Sequence, residues 1–454
     1  MSQPPERSAR ERMILAAPIL PTILRLAAPN AVTVIVASLV TVAETAFVGA
    51  LGAEALAANA YVFPFLVLMQ TMANGAMGGG VSSAVARALG ARDTARARAL
   101  ALHALAIATG FGLFFTALMC GFGASIYGAL GARGAVLTLA LDYSNVLFAG
   151  VAGIWLMATL ISVVRGTGDM AVPTAIMLAT AALQVALAFT LTLGAGPVPA
   201  LGIAGIGWST VVASAAGTLA TLVYLRSPRA RVRVSLAGVV PSGAMFRDIL
   251  RVGGVAVFFS LQNAGTVLLM SAMVAGFGAV ALAGYGIGAR LEMLQIPVVF
   301  GIGAALVPMV GMNVGAGQIQ RARRIALFGA LFAGAISGVI GLVFAIKPEW
   351  WSGIYTADPA VRAATAEYLQ RVGPTFGCFG FGVCLYFATQ GSGRILGPVL
   401  AATARLALAA LGAFVALRLD LGYAALCWAI AAAMLAYALI AAGVLAFTPW
   451  RKPG

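Results

Sequence analysis

The chain reads as a succession of long apolar runs broken by short polar or arginine-bearing stretches. Twelve runs stand out, at 29–50, 57–86, 99–127, 136–164, 171–195, 201–225, 252–277, 282–312, 325–346, 362–390, 397–417 and 422–447. Each is long enough to cross a hydrocarbon layer as a helix, which takes about 20 apolar residues. The runs at 57–86, 99–127, 171–195, 201–225, 252–277, 325–346 and 422–447 contain no Asp, Glu, Lys or Arg. A helix that is apolar on every side belongs in lipid or a deep core. The period-2 alternation in segments of about ten residues that marks barrel strands is missing. In hydrocarbon the backbone must satisfy its own hydrogen bonds, so the pattern predicts an all-α integral membrane protein of twelve transmembrane helices.

The pattern also repeats. Gly90-Ala91 followed by Arg96-Ala97-Arg98 returns 225 residues later as Gly315-Ala316 followed by Arg321-Ala322-Arg323. Arg165-Gly166-Thr167-Gly168 with Pro173 returns at the same offset as Gln390-Gly391-Ser392-Gly393 with Pro398, and Asp142-Tyr143 as Glu367-Tyr368. The expected organisation is a segment 1–28, a six-helix bundle 29–225, a basic linker 226–246, a second bundle 247–447 and a tail 448–454. An even number of helices in each half inserts both halves the same way, giving parallel repeats, and transporters of this design hold substrate between halves that rock.

Composition narrows the function classes. Of 454 residues, 62% are hydrophobic and 9% charged, and mean hydropathy is +1.01. Soluble domains carry about 25% charged residues, so a soluble enzyme and a disordered chain are excluded. The net charge of +15 comes almost wholly from arginine. Placed on the twelve runs with the N-terminus inside, 22 basic residues fall on the inner side. Arg133, Arg290, Lys347, Arg362, Arg371 and Arg418 fall outside. Such asymmetry predicts both termini in the cytoplasm, in a cell inner membrane, rather than nucleic-acid binding. The single His103 and the two lysines leave no paired-His metal helix and no phosphate-binding loop, and the four cysteines sit in apolar stretches. No metal and no cofactor is expected, and no cleavable leader is visible.

Charged groups inside the hydrocarbon are costly, so the few present are functional candidates by default. Glu44 is the first, toward the outer part of its run, on one helical face with Asn30, Thr33 and Thr41. Glu292 is the second, with Gln295 one turn on. Arg290, two residues away, does not share its face, so a partner for Glu292 would have to come from another helix. Asp142 is the third, although an acid in a first turn can simply complement the helix dipole. Glu367, with Arg371 at i+4, fits a structural ion pair better. Asn59, Gln70 and Asn74 form a stripe on the second run, and Gln262 and Asn263 lie together on the seventh. Buried amides of this kind either glue helices or line a cavity. The Gly78-Gly79-Gly80 run and Gly301/Gly303 point to close helix packing. Pro29 falls at the start of the first run, where a freed carbonyl permits bending.

Several motifs in order carry a resemblance. Pro29 is followed by Glu44-Thr45-Ala46-Phe47-Val48-Gly49, then by Ala55-Leu56-Ala57-Ala58 and by Arg165-Gly166-Thr167-Gly168-Asp169. Val310-Gly311-Met312-Asn313-Val314-Gly315-Ala316-Gly317 precedes Arg321-Ala322. Across nearly its whole length the chain resembles the multidrug and toxic compound extrusion (MATE) family. The resemblance implies two six-helix bundles forming a V with a central cavity, and cation-coupled export of drugs or other amphipathic compounds. The chain departs from the family where Glu44 replaces the usual Asp. It departs again where an Asn and an Asp four residues apart become Gln184 and Ala188, and where the acid of sodium-coupled members falls near Asn263. The expected function is therefore proton-coupled antiport of an amphipathic, cationic compound by a monomer. Glu44, Glu292 and Asp142 are the candidate ion-coupling groups. Asn30, Thr41, Asn59, Gln70, Asn74, Gln184, Gln262, Asn263 and Gln295 are the candidate cavity lining. Sodium coupling and a lipid-linked oligosaccharide flippase are the alternatives within transport. A membrane-embedded transferase or a channel are the alternatives outside it.

Overall fold

The apolar runs fold as helices throughout the computed structural model, which describes residues 8–195, 197, 199–234 and 241–450. Parts of the expected N-terminal segment (1–7), linker (235–240) and tail (451–454) lie outside the described residues. A short helix α1 (Ala9–Ala16) comes first. Then follow α2 (Ile19–Ala50), α3 (Ala53–Gly90), α4 (Thr94–Ala129), α5 (Gly134–Ala149), α6 (Val151–Gly166), α7 (Ala171–Leu193) and α8 (Ala204–Arg226). The rest of the chain forms α9 (Gly243–Ala275), α10 (Ala279–Gly315), α11 (Ile319–Ile346), a short α12 (Glu349–Tyr355), α13 (Pro359–Ser392), α14 (Leu396–Arg418) and α15 (Gly422–Phe447). Eleven of these are long and apolar enough to cross a membrane, and α5 with α6 forms a twelfth crossing bent by 46°.

That bend corrects the expectation of one continuous helix over 136–164. It falls at Gly150, where a Cβ would collide with the Val211 side chain. The missing side chain lets α8 approach and gives the backbone freedom to break. The second half has its own irregularity at the repeat offset. In α13 a 3-10 turn spans Gly373–Thr375, at Pro374, which has no N–H to give the helix. The helix α3 carries a π-helical stretch at Met72–Met77, which offsets the following turn. Gly168 (φ 81°) and Gly393 (φ 78°), related by the repeat, end α6 and α13 in the left-handed region that favours glycine.

Several helices begin earlier than hydropathy predicts, two of them by nine residues or more. The first long helix starts at Ile19 and runs through Pro29 to Ala50, and α9 starts at Gly243. The chain divides into two compact units, Met1–Glu11 with Val32–Gly254, and Arg12–Ala31 with Val255–Gly454. In the first unit Trp155 is fully buried and stacks on Phe111 at 4.9 Å, and the Tyr127 hydroxyl meets Ser144 at 2.8 Å. The Arg87 guanidinium, 6% exposed, lies 2.7 Å from Asp248, and Arg96 reaches the same carboxylate at 3.1 Å. In the second unit Phe259 stacks on Tyr386 at 3.9 Å, and the Phe387 ring occupies the space a side chain at Gly303 would need. The glycine runs thus serve close packing: a Cβ on Gly80 would sit 2.9 Å from the Gly253 backbone. Between helices in lipid there is little hydrophobic drive, so such backbone approaches supply much of the association. On the outside Val42, Leu219 and Leu268 are 66%, 64% and 74% exposed. Such a surface suits hydrocarbon and not water.

Candidate ion-coupling sites in the two halves

In the first unit, α2 brings Glu44 to α7 and α8. The amide Nε2 of Gln184 donates to Glu44 Oε1 at 2.8 Å and reaches Thr210 Oγ1 at 3.2 Å. The Thr210 hydroxyl donates to Ile206 O at 3.1 Å, which orients its lone pairs toward the amide. Glu44 is half-buried, and among the described residues no Arg, Lys or His lies within ion-pair distance of it. A carboxylate in hydrocarbon without a cation is held by hydrogen bonds alone, and gaining a proton there removes its charge. Thr41, one turn before it, turns its hydroxyl back onto Ala37 O at 3.2 Å. Asp142 and Asn145 share an exposed face of α5. No hydrogen bond or ion pair joins Asp142 to Glu44. Asn59 and Gln70 are half-buried on α3, and Asn74 is exposed within the π-helical stretch. Its Nδ2 donates to Gln70 O at 3.1 Å.

The second unit holds a different arrangement. Glu292 on α10 lies 3.9 Å from Arg405 on α14, and both are mostly buried, at 21% and 11% exposure. Arg405 Nη2 also donates to Asn263 Oδ1 at 3.4 Å, and its guanidinium lies over the rings of Phe379 and Tyr437 at 5.3 and 5.4 Å. Beside it the Thr403 hydroxyl donates to Gln262 Oε1 at 3.4 Å. Here the carboxylate charge is compensated. Arg290 stacks over Tyr355 at 5.2 Å and takes no part. Gln295 is buried, with Nε2 donating to Leu291 O at 3.4 Å. Asn30, buried in the same unit, donates to Leu26 O at 3.3 Å, one residue after Pro29 in α2. Glu367 and Arg371 form the expected i,i+4 pair at 3.5 Å.

Sequence reasoning missed Arg405 as a site residue. The hydropathy pattern puts it among the inner-side arginines, at the end of its run. It lies nine residues into α14, about 13 Å along the axis at 1.5 Å per residue, and inside the bundle. The inner count becomes 21 against 6. Counting residues from the start of the run was the signal that could have found it. The single histidine, His103, is buried: its Nε2 accepts from Ser242 N–H at 2.9 Å and its Nδ1 meets Ala99 O at 2.7 Å. Among the described residues no three His, Cys, Asp or Glu gather as a metal-holding group.

The MatE family pattern matches residues 29–190 and again 255–415, one match in each repeat. A probable multidrug resistance protein NorM from Deinococcus radiodurans is 31% identical over 71% of this chain and 70% of its own length. The FAD transporter of Shewanella oneidensis is 27% identical over 83% of this chain and 82% of its own length. Among solved structures, a MOP superfamily transporter from Pyrococcus furiosus superposes with a TM-score of 0.86 at 23% identity, covering 98% of this chain and all of that one. An outward-facing MATE family transporter gives the same TM-score over 97% of this chain and 99% of that one. At that identity the likeness is one of fold.

Proposed function

The chain belongs to the MatE family of membrane transporters, and from that premise we propose that it is a proton-coupled antiporter, with Glu44 as its coupling carboxylate. The observation that carries this reading is the contrast between the two acids Glu44 and Glu292. Glu44 has a neutral amide for its partner at 2.8 Å, whereas Glu292 faces a guanidinium at 3.9 Å. A proton reaching Glu44 changes the net charge of the first half, while Glu292 already sits in a compensated pair. A transport cycle needs a group whose charge differs between its two states. The Gln184 amide donates to the carboxylate at 2.8 Å. Protonation weakens that bond and frees α2 to move against α7. One charge moved across 100 mV supplies about 2.3 kcal/mol, and one pH unit adds about 1.4 kcal/mol. The potential term drives export of a cation only when more positive charge enters than leaves, so a one-for-one exchange of proton for a monovalent cation runs on the pH term alone. The protein acts in the cell inner membrane with both termini cytoplasmic.

A second substrate reading is favoured by one observation, the 27% identity to an FAD transporter over most of both chains. On that reading the cargo is a dianionic flavin dinucleotide in place of a cation. Both readings are tested in proteoliposomes under an imposed proton gradient and then a sodium gradient, with a fluorescent cation or FAD as cargo. Proton-driven efflux of either cargo, lost in Glu44→Gln, supports the coupling assignment. Efflux driven only by sodium overturns it.

A further inference from the structure

Five arginines, Arg10, Arg98, Arg229, Arg231 and Arg233, converge on one cavity of about 710 Å³ at the end of the first unit where the chain leaves α8. The cavity wall comes from separated stretches: the start of α1, the first turns of α4, the turn at Thr167, and residues 228–233. Two of the five are balanced by carboxylates set back into the wall. Arg10 lies 2.7 Å from Asp169, which is 1% exposed and also accepts from the N–H groups of Ala171 and Val172 and from the Tyr224 hydroxyl. Arg231 lies 2.7 Å from Glu11, which is 3% exposed and exchanges hydrogen bonds with Ser8 in a capping box.

Arg98, Arg229 and Arg233 are exposed, and among the described residues no carboxylate lies within ion-pair distance of them. Five positive and two negative groups leave three positive charges facing one concavity. The bias of arginines to one side of a membrane accounts for their presence at helix ends. It does not account for their convergence on a shared cavity with its acids withdrawn into the wall. Charges of like sign at short range repel, and a multivalent anion removes that cost.

We propose that this cavity is a binding site for a phosphate-bearing polyanion, either the headgroup of an anionic phospholipid or a soluble diphosphate solute. Guanidinium groups offer planar pairs of donors that match phosphate oxygens. A lone carboxylate would compensate only one of the three free cations, whereas a diphosphate presents two sets of acceptor oxygens. The volume lies within the usual range of small-molecule sites, about 300–1,000 Å³. None of the lining residues bonds to Glu44 or Gln184, so the site stands apart from the coupling group.

The test uses the full-length protein in nanodiscs of phosphatidylcholine, titrated with inorganic pyrophosphate and followed by calorimetry and by thermal unfolding. Saturable binding that weakens with salt is expected. R98Q/R229Q/R233Q is expected to lower the affinity by at least about tenfold, the loss of one or more charge-assisted hydrogen bonds. R247Q/R251Q/R324Q removes the same charge from exposed positions outside the cavity and is expected to leave binding within about twofold. A second arm uses nanodiscs containing phosphatidylglycerol. If that lipid raises the unfolding temperature of the wild type alone and blocks pyrophosphate, the ligand is the headgroup. If pyrophosphate binds alike in both discs, the ligand is soluble. Should the triple variant not fold, each single substitution is expected to weaken binding in part. The proposal is overturned if neither pyrophosphate nor phosphatidylglycerol acts on the wild type, or if the two triple variants lose binding equally.

Discussion

Glu44 and Gln184 stand 140 residues apart in the chain, and the amide of one donates to the carboxylate of the other at 2.8 Å. The pairing joins the first long helix to α7, and the same amide reaches Thr210 on α8 at 3.2 Å. Glu44→Gln preserves shape and hydrogen-bonding capacity but cannot release a proton. It is expected to fold and to lose proton-driven export, while Glu44→Asp retains part of it. Gln184→Leu is expected to reduce export while leaving expression intact. Vesicle efflux under a proton gradient reads all three. If Glu292→Gln alone abolishes export while Glu44→Gln transports normally, the coupling group lies in the second half.

The pair formed by Glu292 and Arg405 makes a separate prediction about stability. Removing one member of a buried pair leaves an uncompensated charge, at a cost of about 3–5 kcal/mol. Arg405→Met is therefore expected to lower the unfolding temperature of the purified protein sharply. Replacing both residues by Met is expected to recover most of the loss, since two apolar side chains need no compensation. A double variant as unstable as Arg405→Met would show that the contacts over Phe379 and Tyr437 matter more than the charge pair.

Asn74 lies exposed in the π-helical stretch of α3, and Leu219 lies exposed on α8 at 64%. If the amide lines the transport path, Asn74→Trp is expected to impair export by at least about tenfold, or about 1.4 kcal/mol. A tryptophan at Leu219 is expected to be tolerated, because indole is accommodated in lipid. Equal effects at the two positions would remove Asn74 from the path.

Orientation can be read with a cysteine at Ala244, exposed near the start of α9. In a background lacking Cys120, Cys378, Cys384 and Cys427, an impermeant thiol reagent added to intact cells is expected to leave Ala244→Cys unlabelled. Labelling after the membrane is opened completes the test. Efficient labelling from outside would place the arginine-rich side outside and reverse the topology.

The twelve crossings and the repeat were legible in the sequence, because transfer of apolar residues into lipid depends on local composition and needs no partner helix. The same locality let the glycine runs be read as packing surfaces. Helix ends were less legible. Residues 19–28, with Arg25 and Pro21 and with Pro29 directly after them, look like a break by composition, yet they continue α2, with Thr22, Ile23, Leu26 and Ala27 buried. The bend at Gly150 depends on the approach of Val211, some sixty positions further along the chain, and no local pattern encodes that meeting. Glu44 could be singled out because an acid in hydrocarbon is conspicuous. Its partner came only from the family resemblance, and the 2.8 Å contact came only from the fold. Whether a buried carboxylate is compensated depends on which residue arrives from a distant helix. Arg405 settles the matter for Glu292, and an amide in place of an arginine settles it for Glu44. Burial cost is a property of one residue and its neighbours in sequence. Charge compensation is a property of pairs, and those pairs exist only once the helices have packed.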